Sequence, residues 1–137
     1  MPKVKDLMTP DAECIGERDT LRHAAERLRT LDVGSLPICG ENRKIIGMLT
    51  DRDIVVKCIA EGGDPDTVFA GDLAQQRLYY IDSEATVEDA ISVMSEHQVR
   101  RLPVIHDHRL VGIISQADIA RHYAEERVGH LVEGISE

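Results

Sequence analysis

The sequence predicts an α+β fold in which two tandem β-α-β-β-α units pack as a pseudo-twofold pair. The 137 residues contain an internal repeat at an offset of 66 residues, which falls to 65 after one turn. In each copy, short apolar segments typical of strands alternate with segments whose apolar residues have the spacing of an amphipathic helix. A three-stranded unit of about 60 residues buries too little surface to be stable alone, so the two units are expected to cover each other's sheets.

The repeat is carried by matching residue types at a fixed spacing. At offset 66, Thr20 matches Thr86, and the run Leu36-Pro37-Ile38 matches Leu102-Pro103-Val104. At offset 65, the run Asp53-Ile54 matches Asp118-Ile119. The one-residue slip falls in the turn after Pro103, so the flanking elements keep their register, as a true repeat requires.

The first copy predicts five elements in order. A strand at 12–15 is followed by a helix with Leu21 on its buried stripe, capped by Asp19 or Thr20. Strands are predicted at 35–39 and 45–49, and a helix runs from about Asp51 to a stop at glycines 62 and 63. Pro37 lies inside its strand, which predicts an edge strand or a strand start there.

The second copy repeats the pattern. Strands are predicted at 78–82, 101–105 and 110–114, and helices at 86–97 and from Gln116 onward. Thr86 and Asp89 have the spacing of a capping box. A Gly-, Asp- and Pro-rich linker separates the copies, which predicts a first unit at 1–65, a second at 66–128 and a C-terminal tail at 129–137.

Composition narrows the class of function. The formal net charge is −9 and aromatic residues make up 3%, a combination that excludes nucleic acid as a general partner. No apolar run reaches the length of a membrane span, and the N-terminus lacks an apolar signal core. We therefore expect a cytoplasmic protein without a membrane partner.

Two motifs, each present twice, resemble those of the cystathionine β-synthase (CBS) domain family. The segments 47–53 (GMLTDRD) and 112–118 (GIISQAD) resemble its Gly-h-x-Thr/Ser-x-x-Asp signature, where h is hydrophobic. The segments 33–38 and 99–104 resemble its strand ending in Pro-Val, and 4–10 resembles its opening motif. The resemblance covers about residues 1–125, and the sequence looks particularly like the stand-alone CBS-pair proteins of the mycobacterial hypoxic response.

This resemblance implies a Bateman module, a pair of CBS domains that binds AMP, ATP or a related adenosyl ligand in the cleft between its units. Thr50 and Ser115 would then contact phosphate at helix N-termini, and Asp53 and Asp118 would accept the ribose hydroxyls. The purine would lie among apolar side chains. The candidates for that contact are Ile15, Ile38, Ile81 and Val104.

The two candidate sites are not equivalent. Asp51 follows Thr50 and brings a negative charge close to any phosphate, whereas Gln116 occupies this position in the second copy. Arg100 and Arg101, at the start of the second copy's middle strand, are near this position, so the second copy is the better phosphate site. Two alternatives stay open: the Thr/Ser–Asp pairs are plain helix caps, and the arginines are solvated or pair with nearby carboxylates.

Histidines and cysteines offer two further sites. His97, His106, His108 and His122 cluster in the second half, and imidazole is a suitable zinc ligand, although no metal-motif spacing is present. Cys14 and Cys39 end neighbouring strands of the first copy, so their sulfurs are expected to be close. They are predicted either as buried thiols or as a disulfide.

Two functions from different classes follow. The first is a non-enzymatic, stand-alone nucleotide sensor that acts on a protein effector by a population shift and has a stress- or hypoxia-related role. The second is a structural or stress protein that binds no nucleotide and is stabilised by dimerisation with zinc or a disulfide. No nucleophile–base–orienter set indicates an enzyme. A homodimer is expected under both functions, with Leu131 and Ile135 offered as apolar contacts.

Overall fold

The computed structural model describes residues 2–74 and 78–136, with side chains described as far as residue 127. Leu131 and Ile135 therefore lie outside the described side chains. The first repeat contains β2 (Ile15–Gly16), α2 (Leu21–Leu31), β3 (Ser35–Cys39), β4 (Ile45–Thr50) and α3 (Asp51–Asp53), which continues as a π-helix over Ile54–Ile59. The second repeat contains β5 (Ile81–Asp82), α4 (Val87–His97), β6 (Arg101–His106), β7 (Arg109–Ser115) and α5 (Gln116–Ser136). A short helix α1 (Val4–Leu7) and strand β1 (Thr9–Pro10) precede the first repeat.

The fold class is confirmed: both repeats have the β-α-β-β-α order, and the chain forms two sheets. One sheet has the order β2-β3-β4, with β2 parallel to β3 and β3 antiparallel to β4. The other has the order β1-β7-β6-β5, with β1 antiparallel to β7 and β5 parallel to β6. The parallel pairs are joined by α2 and α4, because a parallel connection needs a crossover.

Each repeat has its own apolar core, and helix caps fix where the helices begin. Leu21, Ala24 and Leu28 of α2 pack on the first sheet, and Val87, Ala90 and Met94 of α4 pack on the second. Thr20, one of the two predicted candidates, caps α2 by accepting the His23 N–H. The capping box of Thr86 and Asp89 is confirmed by two hydrogen bonds, of 3.1 and 3.3 Å.

The edge-strand prediction from Pro37 is wrong, because β3 is the central strand of its sheet. Glu17 N–H donates to the carbonyl of Cys39, so the backbone groups of Cys39 face β2. By alternation, Pro37 faces the same side, where β2 begins only opposite Ile38. Pro37 therefore costs no hydrogen bond with β4. Pro103 has the same arrangement, since Ser83 N–H donates to the carbonyl of Ile105.

The segment that leads into each repeat docks on the other repeat. Val4 N–H donates to Ala85 O at 2.8 Å and Lys5 N–H to Ser83 O at 3.0 Å, so residues 2–7 pack on the second repeat. At the corresponding positions, Ala70 N–H donates to Asp19 O and Gly71 N–H to Glu17 O, both at 2.8 Å. We name these segments the leaders.

Because each leader docks on the other repeat, the two compact units of the chain do not coincide with the two sequence repeats. One combines the N-terminal segment as far as Ala12 with Tyr79–Asp107 and the chain from Val111 onward. The other contains the described residues of Glu13–Leu78, together with His108–Leu110. The predicted division at residue 65 concerns the sequence repeat and stays a prediction. In the described part, no helix is both long and apolar enough to cross a bilayer.

Candidate functional site

Both predicted Thr/Ser–Asp pairs form reciprocal capping boxes at the end of a strand. Thr50 N–H donates to Asp53 Oδ2 at 3.0 Å, and Asp53 N–H donates to Thr50 Oγ1 at 3.0 Å. Ser115 and Asp118 make the same two bonds, each at 3.0 Å. Both pairs therefore have the geometry of helix caps, as one of the two open interpretations of the sequence expected. Each cap uses one carboxylate oxygen of its aspartate.

The second carboxylate oxygen of each aspartate faces a cation from the same helix. Lys57 Nζ lies 3.3 Å from Asp53 Oδ1, and Arg121 Nη1 lies 3.6 Å from Asp118 Oδ1. Each aspartate side chain is only 10% exposed, whereas the Lys57 and Arg121 side chains are 48% and 66% exposed. Neither cation was predicted from the sequence, although their i+4 and i+3 spacing from the aspartates indicates both contacts.

The two helix N-termini differ in the number of backbone N–H groups that are already bonded. At the first, Asp51 N–H donates to Gly34 O, and Arg52 N–H donates to the Asp51 carboxylate at 2.7 Å. With Asp53 N–H bonded to Thr50, the first three N–H groups are all occupied.

The second helix N-terminus keeps one N–H group open. Gln116 N–H donates to Arg100 O at 2.8 Å, and Asp118 N–H donates to Ser115. Gln116 stands where the first copy has Asp51, and its side chain does not occupy the following N–H. Within the described residues, Ala117 N–H has no acceptor. A free N–H at the start of a 21-residue helix favours an anion.

The predicted arginines lie where β6 begins: Arg100, whose carbonyl accepts the Gln116 N–H, directly precedes β6, and Arg101 is its first residue. Both side chains are exposed. Arg100 forms no ion pair within the described part of the chain, whereas Arg101 does have an interaction partner. The second site is therefore more positive than the first, where Asp51 adds a carboxylate, and the preference of a phosphate for the second site stays a prediction.

The structure places the four predicted purine contacts in the two cores. Ile15 and Ile38 are neighbours across β2 and β3, at 2% and 0% exposure. Ile81 and Val104 are neighbours across β5 and β6, at 6% and 0% exposure. Because these side chains pack against α2 and α4, they present little surface to a ligand in this conformation. Their contact with a purine stays a prediction.

The histidines predicted as zinc ligands have separate surroundings. The rings of His97 and Tyr79 stack at 3.7 Å between centroids, and His106 Nδ1 lies 3.3 Å from Ser83 Oγ. His108 has a φ of 65° in the turn after β6, so the extended turn that would align it with His106 is not formed. His122 Nε2 lies 4.0 Å from a Glu126 carboxylate oxygen. Among the described residues, no three metal-ligating side chains form a cluster, and zinc binding stays a prediction.

The two cysteines predicted as neighbours are in contact as thiols. Cys39 is buried and Cys14 is half-buried, and no disulfide joins them in the described structure. Burial, together with a hydrogen bond to Cys14, raises the pKa of the Cys39 thiol to about 12. A disulfide between them stays a prediction, and their proximity supports it.

Comparison with known proteins agrees with the motifs. The sequence matches the CBS domain family over residues 4–59 and 70–125, close to the two repeats. It is 50% identical over 135 residues to hypoxic response protein 1 of Mycobacterium tuberculosis (strain CDC 1551 / Oshkosh), which covers 98% of this chain and 94% of that protein. It is also 34% identical to the CBS domain-containing protein YhcV of Bacillus subtilis, which covers 99% of this chain and 96% of that protein.

Two solved structures are similar in fold. Hypoxic Response Protein I, crystallised with two coordinated zinc ions, has a TM-score of 0.83 and 52% identity and covers 88% of this chain and 98% of its own. CBSX2 in complex with AMP has a TM-score of 0.80 and 25% identity and covers 93% of this chain and 99% of its own. The zinc ions are ligands of Hypoxic Response Protein I, and AMP is a ligand of CBSX2.

Proposed function

The chain belongs to the CBS-domain family, and on this premise we propose that it is a regulatory sensor that binds an adenosyl nucleotide, AMP or ATP, at the N-terminus of α5. The observation that carries the proposal is the open Ala117 N–H at a long helix, beside two exposed arginines. The AMP complex of CBSX2 supports this choice of ligand class.

In this proposal each polar group has a distinct role. Ala117 N–H and the Ser115 hydroxyl donate to the phosphate, and Arg100 balances its charge. Asp118 keeps Oδ2 on its own helix cap, while Oδ1 exchanges the exposed Arg121 for the ribose hydroxyls. A pair of hydroxyls can replace that contact because Arg121 is 66% exposed and its Nη1 lies 3.6 Å from Oδ1, so water can solvate the arginine once it is displaced.

Binding becomes regulation by a population shift. A nucleotide that binds one conformation of the chain better stabilises that conformation in proportion to its differential affinity. The output then passes to a protein effector. The hypoxic response relative supports a role in oxygen limitation or stress, which is tested by whether transcript and protein levels rise when cells that carry the gene are deprived of oxygen.

Thermal denaturation tests the proposal with a matched pair of variants. AMP and ATP at millimolar concentration are expected to raise the melting temperature of the wild-type protein, and NAD and S-adenosylmethionine serve as comparison ligands. Asp118→Ala should lose the shift and Asp53→Ala should keep it, although both lose the same kind of cap. Each variant is compared with its own ligand-free melting temperature. The absence of any shift in wild type would refute the proposal.

A second function is favoured by the contact between Cys14 and Cys39. We propose as the alternative a structural stress protein that binds no nucleotide and is stabilised by dimerisation with that disulfide or with zinc. The two zinc ions of Hypoxic Response Protein I support the metal. Thiol counting without reductant and zinc analysis of tag-free protein test it; three free thiols and no zinc would exclude it.

A further inference from the structure

A cavity of about 450 Å³ lies where the second leader, which contains Gly71, docks on the first repeat. Its volume is within the range of about 300–1,000 Å³ that is usual for small-molecule sites. The hydrogen bond of 2.8 Å from Gly71 N–H to Glu17 O holds its two walls together. We name it the leader cavity. The residues that line it are Glu17, Arg18, Phe69, Gly71 and Asp72.

The corresponding place in the second repeat is occupied by ion pairs of the chain itself. There, the Glu84 carboxylate lies 2.8 Å from Lys3 Nζ and 2.9 Å from Lys5 Nζ. The first repeat has a cation in place of the carboxylate and no charge in place of either lysine, so this network cannot form. At an offset of 66, Arg18 replaces Glu84, Phe69 replaces Lys3 and Gly71 replaces Lys5.

Charged groups of both signs line the leader cavity without neutralising one another. Within the described residues, Arg18, Glu17 and Asp72 form no ion pair. Asp72 Oδ2 accepts the Phe69 N–H at 3.0 Å, and the other oxygen of this carboxylate has no partner in the described part of the chain. Opposite charges that face one cavity without touching are complementary to a ligand that carries both charges.

Phe69 adds an apolar surface to the same cavity. Its side chain is a large hydrophobic group, yet it is 43% exposed. The backbone of Phe69 is fixed on both sides, by an antiparallel bridge with Thr20 and by the hydrogen bond to Asp72. The ring therefore has a defined position, at which it can pack against an apolar or aromatic group.

We propose that the leader cavity binds a free α-amino acid with an apolar side chain. The carboxylate of the ligand pairs with the Arg18 guanidinium, whose planar fork suits two parallel hydrogen bonds to a carboxylate. Its ammonium contacts the free oxygen of Asp72 and the Glu17 carboxylate, and its side chain packs on Phe69. The site shares no residue with the proposed nucleotide site and does not depend on nucleotide binding.

An NMR titration of the full, ¹⁵N-labelled chain with L-phenylalanine tests the proposal. Saturable shift changes at millimolar concentration are expected at the backbone amides of Arg18, Phe69 and Gly71. Two analogues each remove one charge of the ligand: phenylalaninamide lacks the carboxylate, and N-acetylphenylalanine lacks the ammonium. Each analogue should bind at least tenfold more weakly than phenylalanine, because it leaves one charged wall of the cavity without its partner.

Arg18→Gln should weaken the binding of phenylalanine at least tenfold and leave that of phenylalaninamide unchanged, since the guanidinium contacts only the carboxylate. Arg29→Gln is the matched control and should bind as wild type does. Arg29 is an exposed arginine of the same repeat, outside the cavity and without an ion pair in the described residues. Cooperative urea unfolding should show that both variants fold. Three results would each overturn the proposal: no saturable shifts at the cavity, phenylalaninamide binding as tightly as phenylalanine, or unchanged phenylalanine affinity in Arg18→Gln.

Discussion

At the scale of single residues, the burial of the Cys39 thiol makes the stability of the fold depend on pH. This thiol is neutral in the folded chain. Burial is the main cause that raises its pKa to about 12 from an ordinary value near 9, and the hydrogen bond with Cys14 is the second cause. A raised folded pKa contributes stability that is complete below about pH 9 and is lost as the pH rises toward 12. The free energy of unfolding should therefore fall on the alkaline side.

Urea unfolding in the presence of reductant, at about pH 8 and about pH 11, measures this effect. Wild type should lose more stability than Cys39→Ala over this interval, by at most about 1.4 kcal/mol for each pH unit. The difference isolates the thiol because lysines and tyrosines titrate in both proteins. Parallel losses in the two proteins would show that Cys39 does not titrate as its burial indicates.

A second residue, Glu84, fixes the first leader to the second repeat. Its carboxylate lies 2.8 Å from Lys3 Nζ and 2.9 Å from Lys5 Nζ, and these hydrogen bonds lower the pKa of Glu84 to about 2. A lowered folded pKa contributes stability that is present above the unfolded pKa near 4.5 and is lost as the pH falls toward 2.

Melting temperatures between about pH 5 and pH 2 test the Glu84 contact. Glu84→Gln should already be less stable than wild type at pH 5, and its melting temperature should fall less steeply as the pH decreases. Glu88→Gln is the control, because Glu88 is an exposed carboxylate without an ion pair in the described residues, and it should follow wild type. A Glu84→Gln curve parallel to wild type would contradict the account.

At the scale of elements, two glycines allow close backbone contact. A Cβ at Gly112 of β7 would lie 2.7 Å from Thr9 O in β1, and one at Gly71 of the second leader would lie 2.8 Å from Glu17 O. These distances are shorter than a carbon atom tolerates against a backbone oxygen. The pairing of β1 with β7 and the docking of the leader therefore both need glycine.

Alanine substitutions test these contacts. Gly112→Ala and Gly71→Ala should each lower the free energy of unfolding by about 1–3 kcal/mol, because the backbone must shift. Gly34→Ala is the control, since a Cβ there would meet nothing closer than the Asp51 carboxylate at 3.6 Å, and it should change stability by less than about 0.5 kcal/mol. Equal effects at all three glycines would contradict this reading of the backbone contacts.

The elements also show what the sequence could and could not predict. The helical spacing of apolar residues and the internal repeat predicted the helices and the Thr86–Asp89 cap, because these features depend on residues close together in the chain. The docking of the first leader on the second repeat was not predictable, since it depends on bonds from Val4 and Lys5 to Ala85 and Ser83, far along the chain. Pro37 was misjudged for a similar reason: whether proline is tolerated depends on where β2 begins.

At the site, the sequence identified the Thr/Ser–Asp pairs but not the state of the N–H groups around them. Gln116 in place of Asp51 predicted a difference in charge. The structure adds a difference in hydrogen bonding, because the Asp51 carboxylate occupies the Arg52 N–H while Ala117 N–H stays open. Such bonding depends on a side-chain conformation that residue type alone does not determine.

At the scale of the whole molecule, the two repeats have the same topology but different helix N-termini. In the first repeat, the first three N–H groups of the helix after β4 are all bonded. In the second repeat, the helix after β7 keeps the Ala117 N–H open within the described residues. A duplicated fold therefore offers one favoured anion site in each chain, so nucleotide binding is expected at one molecule per chain.

Titration calorimetry with AMP tests this account most directly, on wild type and on two variants that exchange the residues at the helix starts. We expect one AMP per wild-type chain and an affinity at least tenfold weaker in Gln116→Asp, whose carboxylate would occupy the Ala117 N–H and repel phosphate. Asp51→Gln should retain the wild-type site and gain affinity at the first. Undetectable AMP binding to wild type, or unchanged affinity in Gln116→Asp, would contradict it.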